Sequence, residues 1–75
     1  MFYLSVTKSL NIQGISNVSF EDAVKVAFEE VSQSVDHIFD IKVLGLNCTI
    51  RGNKIHEYIA DTKICFKVDT ERAKN

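Results

Sequence analysis

The sequence predicts an α+β domain with the element order β-α-β-β, in which one helix packs on a three-stranded antiparallel sheet. Three observations support this prediction: a strand pattern that ends at a glycine, an amphipathic segment with a helix-capping residue, and a long hairpin. The chain has 75 residues, which is the length of one domain. We therefore expect residues 1–75 to form a single domain.

The first strand and the helix follow from side-chain periodicity. Apolar and polar residues alternate around Leu10 and Ile12 as far as Gly14, which is typical of a half-buried strand. Ser19 is a favourable helix N-cap, and acidic residues follow it near the positive end of the helix dipole. A stripe of apolar residues then recurs at helical spacing: Phe20, Val24, Ala27, Phe28, Val31 and Val35. These features predict a helix over about residues 20–35.

The second strand contains an irregularity at a glycine. Phe39, Ile41 and Val43 alternate with polar residues, but beyond Gly45 the apolar positions shift by one residue. A shift of this kind is typical of a β-bulge, which bends a strand and increases its twist. We therefore expect a bulge at Gly45.

The third strand completes a hairpin. Gly52 and Asn53 suit a two-residue turn, in which both residues need positive φ angles. The last strand is predicted over about residues 54–68, with its even-numbered side chains packed on the helix. The chain is polar after residue 69, so we expect residues 70–75 to form a frayed tail.

Composition excludes several classes of protein. The net charge is −1, and the charges of both signs are spread along the chain, which argues against a nucleic-acid partner. No segment is long and apolar enough to span a membrane. The first six residues lack the basic and apolar regions of a secretory signal, so we expect a cytoplasmic protein.

The small size of the chain predicts self-association. A domain of this length buries only about 60% of the surface of its unfolded chain, and its core is therefore marginal. One helix covers one face of a three-stranded sheet, and the other face combines charges with Leu44, Ile59 and Cys65. An oligomer that encloses this second face would cover its apolar residues and would compensate for the marginal core of the single chain.

Three segments in this order resemble the dodecin family of small flavin-storing proteins. They are the strand end Gly14-Ile15-Ser16, the helix start Ser19-Phe-Glu-Asp-Ala-Val24 and the hairpin end Cys65-Phe-Lys-Val-Asp69. The resemblance covers about residues 7–69. It implies a helix wrapped by a long hairpin, and a hollow homododecamer that stores or buffers a small ligand without catalysing a reaction.

The resemblance also implies positions for a flavin, FMN or riboflavin. In flavin-binding members a tryptophan of the second strand stacks on the flavin ring, and a glutamine of the third strand hydrogen-bonds its polar edge. Asp40 and Ile59 occupy these positions here. A carboxylate cannot stack, and an isoleucine leaves polar ligand atoms unpaired, so we expect weak or altered flavin binding. The residues expected to line the pocket or channel are Asp40, Lys42, Ile59, Asp61 and Lys63.

Arg51 is a further candidate, because it lies beside the turn, where some family members offer a cation to a ligand phosphate. A solvated turn residue is the alternative interpretation of Arg51.

The charged residues on the face of the sheet opposite the helix allow two interpretations. Asp40, Lys42, Asp61 and Lys63 alternate along adjacent strands, which is compatible with a ladder of ion pairs within and between subunits. Alternatively, symmetry repeats Asp40 and Asp61 around an axis and creates an ion site. Calcium prefers several converging oxygen ligands, and some dodecin-like proteins without the tryptophan bind calcium.

Zinc binding and catalysis are not supported by residue spacing. His37, His56, Cys48 and Cys65 are suitable zinc ligands, but they match no structural zinc pattern. The sequence also offers no nucleophile with a base and an orienting group. A ligand-free structural oligomer, such as a dimer joined at the hairpin edges, is the remaining alternative to a storage or ion-binding shell.

Overall fold

A computed structural model describes the backbone of residues 2–72 and the side chains of residues 6–68. The elements are strand β1 (Phe2–Ser16), helix α1 (Phe20–Ser32), strand β2 (Ile38–Arg51) and strand β3 (Lys54–Arg72). The strands form one antiparallel sheet in the order β1-β3-β2. The predicted element order and sheet are confirmed, and β3 is the central strand.

Two element boundaries differ from the sequence-based expectation. Helix α1 ends at Ser32 instead of near residue 35, and the N–H groups of Ser34 and Val35 both donate to the carbonyl oxygen of Val31 in a closing turn. Strand β3 continues to Arg72, because the early part of β1 pairs with it as far as Phe2. Residues 70–72 are therefore strand and not frayed tail, while residues 73–75 lie outside the described residues.

Hydrogen bonds at the start of α1 join the helix to the end of β1. The Ser19 hydroxyl accepts a hydrogen bond of 3.0 Å from the Asp22 N–H, which confirms Ser19 as the N-cap. The buried Ser16 hydroxyl donates to the Asp22 carboxylate at 2.6 Å and accepts from the Val18 N–H at 2.9 Å. Buried polar groups need such partners, so this network fixes where α1 begins.

The core lies between α1 and the even-numbered residues of β3. Its fully or largely buried apolar members are Ala23, Ala27, Val31, Ala60 and Ile64. The predicted helix-facing side of β3 is thus confirmed. Within the apolar stripe of α1, Ala27 and Val31 are buried, whereas Phe28 is 38% exposed.

The bulge and the turn occur where the sequence predicts them. The register shifts between Val43 and Gly45, which leaves Leu44 as the extra residue. Gly52 and Asn53 have φ angles of 59° and 62°, as a two-residue turn that follows the strand twist requires.

Helix α1 covers the sheet unevenly. It packs mainly against β1 and β3 and leaves apolar side chains of the hairpin exposed on the same side of the sheet. These side chains, here called the hairpin strip, are Val43, Leu46, Ile50 and Ile55. Each is at least 48% exposed. The described part of the chain contains no helix that is long and apolar enough to cross a membrane.

Candidate ligand-binding face

The candidate site is the face of the sheet opposite α1, here called the open face. Ala60, Thr62 and Ile64 of β3 are buried beneath the helix, so the alternating odd-numbered side chains point to the other side. The residues of β3 on the open face are Ile59, Asp61, Lys63, Cys65 and Lys67. Their partners on β2 include Asp40 and Lys42. All the predicted pocket-lining residues therefore share one face.

Asp40 and Lys42 form an ion pair along β2. The Lys42 Nζ lies 2.6 Å from the Asp40 Oδ2, and the two side chains are 39% (Asp40) and 58% (Lys42) exposed. The hydrogen bond from Lys42 to Asp40, together with the negative charge of Asp40, raises the pKa of Lys42 above its usual value. The Asp40 carboxylate is therefore already occupied by a cation of its own strand.

The predicted ladder of opposite charges between strands is not formed in the single chain. Lys42 lies directly opposite Lys63, and Asp61 lies opposite Gly45. Like charges placed directly opposite each other destabilise an antiparallel pair. Within one chain the open face thus contains a pair of like charges, and an ion pair of Lys63 would need a carboxylate of a neighbouring copy, which the ladder interpretation also includes.

The two acidic candidates for a metal site lie apart. Asp40 pairs with Cys65 and Asp61 pairs with Gly45, so the two carboxylates lie four residues apart along the ladder, which is about 13 Å. The described residues contain no group of three or more His, Cys, Asp or Glu side chains that could hold a metal ion. A calcium site that uses both aspartates would need oxygen atoms from more than one copy of the chain.

The flavin positions are separated even further. Ile59 pairs with Asn47, six residues along β3 from the Cys65 that faces Asp40, a distance of about 20 Å. Arg51 is exposed beside the turn and pairs with Lys54 at the tip of the hairpin. One chain therefore does not bring Asp40, Ile59 and Arg51 to a common ligand.

The two cysteines lie on opposite faces of the sheet. Cys48 pairs with Tyr58 on the helix side of the sheet, whereas Cys65 pairs with Asp40 on the open face. Both cysteines are free thiols. The register therefore separates the cysteines that a zinc site or a disulfide would have to bring together.

A groove that the sequence does not predict lies at the end of the helix. It has a volume of about 400 Å³, and its lining residues are Ser34, Val35, Asp36, His37, Phe66, Lys67 and Val68. His37 has a φ angle of 64°, and its carbonyl oxygen accepts a 3.1 Å hydrogen bond from the Lys67 N–H. Histidine is enriched among non-glycine residues with positive φ, but that tendency alone does not predict a groove.

Comparisons with solved structures identify the same fold in several bacterial proteins. A dodecin variant from Thermus thermophilus superposes with a TM-score of 0.82 at 22% identity, over 85% of this chain and 96% of that chain. The dodecin from Streptomyces coelicolor has a TM-score of 0.84 at 16% identity, over 89% of this chain and 96% of its own. At these identities the similarity shows the fold.

A third structure is more similar in sequence. The calcium dodecin of Mycobacterium tuberculosis, described as a calcium-chelating antigen with a novel calcium-binding site, is 27% identical. Its TM-score is 0.74, over 93% of this chain and 96% of that chain. A search of curated proteins finds no match. The family model for dodecin matches residues 6–69, which is most of the 75-residue chain. The chain therefore belongs to the dodecin family.

Proposed function

We propose that this protein is a non-catalytic storage or buffering protein that holds a small ligand inside a closed assembly of identical copies. The observation that carries the proposal is the open face, a long and partly charged sheet surface that no other layer of the described chain covers. Membership of the dodecin family supports an assembly of twelve copies around a hollow interior.

Exposed apolar side chains on both sides of the sheet support the assembly. On the helix side, the hairpin strip remains uncovered by α1. On the open face, Phe39 is 56% exposed, and Leu44, the extra residue of the bulge, is 57% exposed. Contiguous exposed apolar surface of this kind marks contact sites between proteins, and a closed assembly would bury it.

The polar and charged composition of the open face supports the binding of a small ligand. Flavin is the ligand for which the family is known, and FMN or riboflavin would bind this chain weakly or in an altered mode. Asp40 cannot stack on the flavin ring and is already paired with Lys42. Ile59 offers no hydrogen bond to the ring, so a buried flavin would keep unpaired polar atoms.

The test is a flavin titration of purified protein, preceded by its absorption spectrum. We expect a colourless protein, and only partial quenching of riboflavin or FMN fluorescence at micromolar protein. A yellow protein with one flavin per subunit would contradict weak flavin binding. A protein that binds no small ligand and remains a single chain would contradict storage altogether.

Calcium is the second candidate ligand, and the similarity to the calcium dodecin favours it. Among the described side chains Asp61 makes no ion pair, whereas Asp40 is paired with Lys42. Asp61 is therefore the better oxygen donor of the two. A calcium site needs several oxygen ligands, so Asp61 would bind calcium together with oxygen atoms of neighbouring copies.

A further inference from the structure

Two lysines of the open face lie side by side without a shared counter-charge. Lys42 on β2 is directly opposite Lys63 on β3, which places their Cβ atoms about 5 Å apart. Lys63 is half-buried, so its side chain has lost part of its contact with water. Desolvating an ammonium group is costly unless a negative partner compensates for the lost hydration.

The carboxylates of the same face do not supply that partner. Asp40 is paired with Lys42 at 2.6 Å. Asp61 is on the same face, two residues from Lys63, but among the described side chains Lys63 forms no ion pair within 4.0 Å. One of the two ammonium groups is therefore left without an anion.

The groups next to Lys63 on β1 are neutral hydrogen-bond donors. Asn11 pairs directly with Lys63, and Ser9 and Gln13 occupy the adjacent positions of the same face. Amide and hydroxyl groups complement a lysine in binding a phosphate, because each supplies a donor while the ammonium supplies the charge.

We propose that Lys63, together with Asn11, binds the phosphate group of the stored ligand, while Lys42 stays paired with Asp40. This inference rests on the proposed storage function and narrows it to phosphorylated ligands. It also replaces Arg51 as the phosphate contact. Lys54, the partner of Arg51, lies nine residues along β3 from Lys63, which is about 30 Å.

FMN and riboflavin form a suitable pair of probes, because they share a ring and differ by one phosphate. We expect wild-type protein to bind FMN about 10-fold more tightly than riboflavin, as a hydrogen bond between charged groups would provide. Lys63→Gln should remove this preference. Lys54→Gln also removes one positive charge, but at the exposed turn, and should retain the preference for FMN. Equal affinities for FMN and riboflavin in wild type, or a preference that survives Lys63→Gln, would overturn the inference.

A second measurement does not depend on the flavin ring. Inorganic phosphate should raise the melting temperature of wild type and of Lys54→Gln at constant ionic strength, but not that of Lys63→Gln. Without phosphate, Lys63→Gln should be at least as stable as wild type, because it removes a repulsion between like charges. If phosphate has no effect and Lys63→Gln dissociates the assembly, a carboxylate of a neighbouring copy pairs with Lys63 and the inference is wrong.

The same samples separate this inference from the storage proposal. A single chain that carries no ligand would contradict storage, whatever the response to phosphate. An oligomer that carries a ligand and ignores phosphate would contradict only the phosphate site.

Discussion

Gly14 of β1 lies directly beneath the backbone of Ala23 in α1. A Cβ atom at residue 14 would overlap the carbonyl oxygen of Ala23 and would lie 3.1 Å from the Cβ of Ala27. The absence of a side chain therefore allows the helix to rest on the β1 side of the sheet. A helix held over β1 and β3 leaves the hairpin strip exposed, and the proposed assembly would cover it.

The close contact predicts a large penalty for the smallest possible side chain. Gly14→Ala should lower the free energy of unfolding by about 1–3 kcal/mol, since backbone atoms of α1 would have to move. Gly45→Ala is the matched control, because a Cβ atom there meets no atom within 4 Å. Its effect should stay within about 0.5 kcal/mol. Urea unfolding followed by circular dichroism measures both, and equal stabilities of the two variants would contradict the close helix contact.

The hairpin strip predicts a surface variant that changes assembly but not folding. Leu46 is 51% exposed in the single chain, and Leu46→Glu would place a charge in the proposed contact between copies. We expect smaller assemblies by light scattering and an unchanged far-ultraviolet spectrum. Lys54→Glu, at the exposed turn, is the control for a change of charge. Unaltered mass in Leu46→Glu would show that the hairpin strip lies outside the assembly contacts.

Restoring the residues of flavin-binding dodecins should restore flavin affinity. Asp40→Trp with Ile59→Gln adds a stacking partner, worth about 1–3 kcal/mol, and a hydrogen-bonding amide. This energy corresponds to about 5- to 150-fold tighter binding, measured by quenching of flavin fluorescence. Glu29→Trp, on the exposed side of α1, controls for non-specific quenching by a tryptophan. If the double variant binds flavin no better than Glu29→Trp, the assignment of these two positions is wrong.

Calcium binding predicts a dependence on Asp61. Calcium at about 100 times its dissociation constant should stabilise the protein by about 2.7 kcal/mol, seen as a rise in melting temperature. Asp61→Asn should abolish the rise, and Asp40→Asn should reduce it less, because Asp40 is already paired with Lys42. Glu29→Gln removes one negative charge from the helix surface, as Asp61→Asn does from the open face. It should leave the calcium-dependent rise in melting temperature unchanged. The calcium proposal fails if Asp61→Asn responds as wild type does.

Much of the fold was predictable because its signals are local. The N-cap at Ser19, the bulge at Gly45 and the turn at Gly52 and Asn53 each depend on a few neighbouring residues. The position of α1 was less predictable. The apolar stripe does not show which of its residues lie deepest, and the close contact of α1 with Gly14 depends on a register that only the folded sheet defines.

The candidate site was also predictable in its local features and unpredictable in its side-chain pairing. Strand alternation correctly placed Asp40, Ile59 and Asp61 on one face. It did not reveal that Asp40 pairs along its own strand with Lys42, because that choice depends on side-chain conformation. The separations of about 13 and 20 Å along the ladder follow from the register, and they mean that any site built from these residues needs more than one copy.

The measurement that tests the central claim most directly is native mass spectrometry of freshly purified protein, without added ligand. The proposed storage function predicts a twelve-subunit species that can carry the excess mass of a small ligand or ion. A monomer or dimer without excess mass would contradict it, and would leave a small β-α-β-β protein whose exposed surfaces serve another purpose.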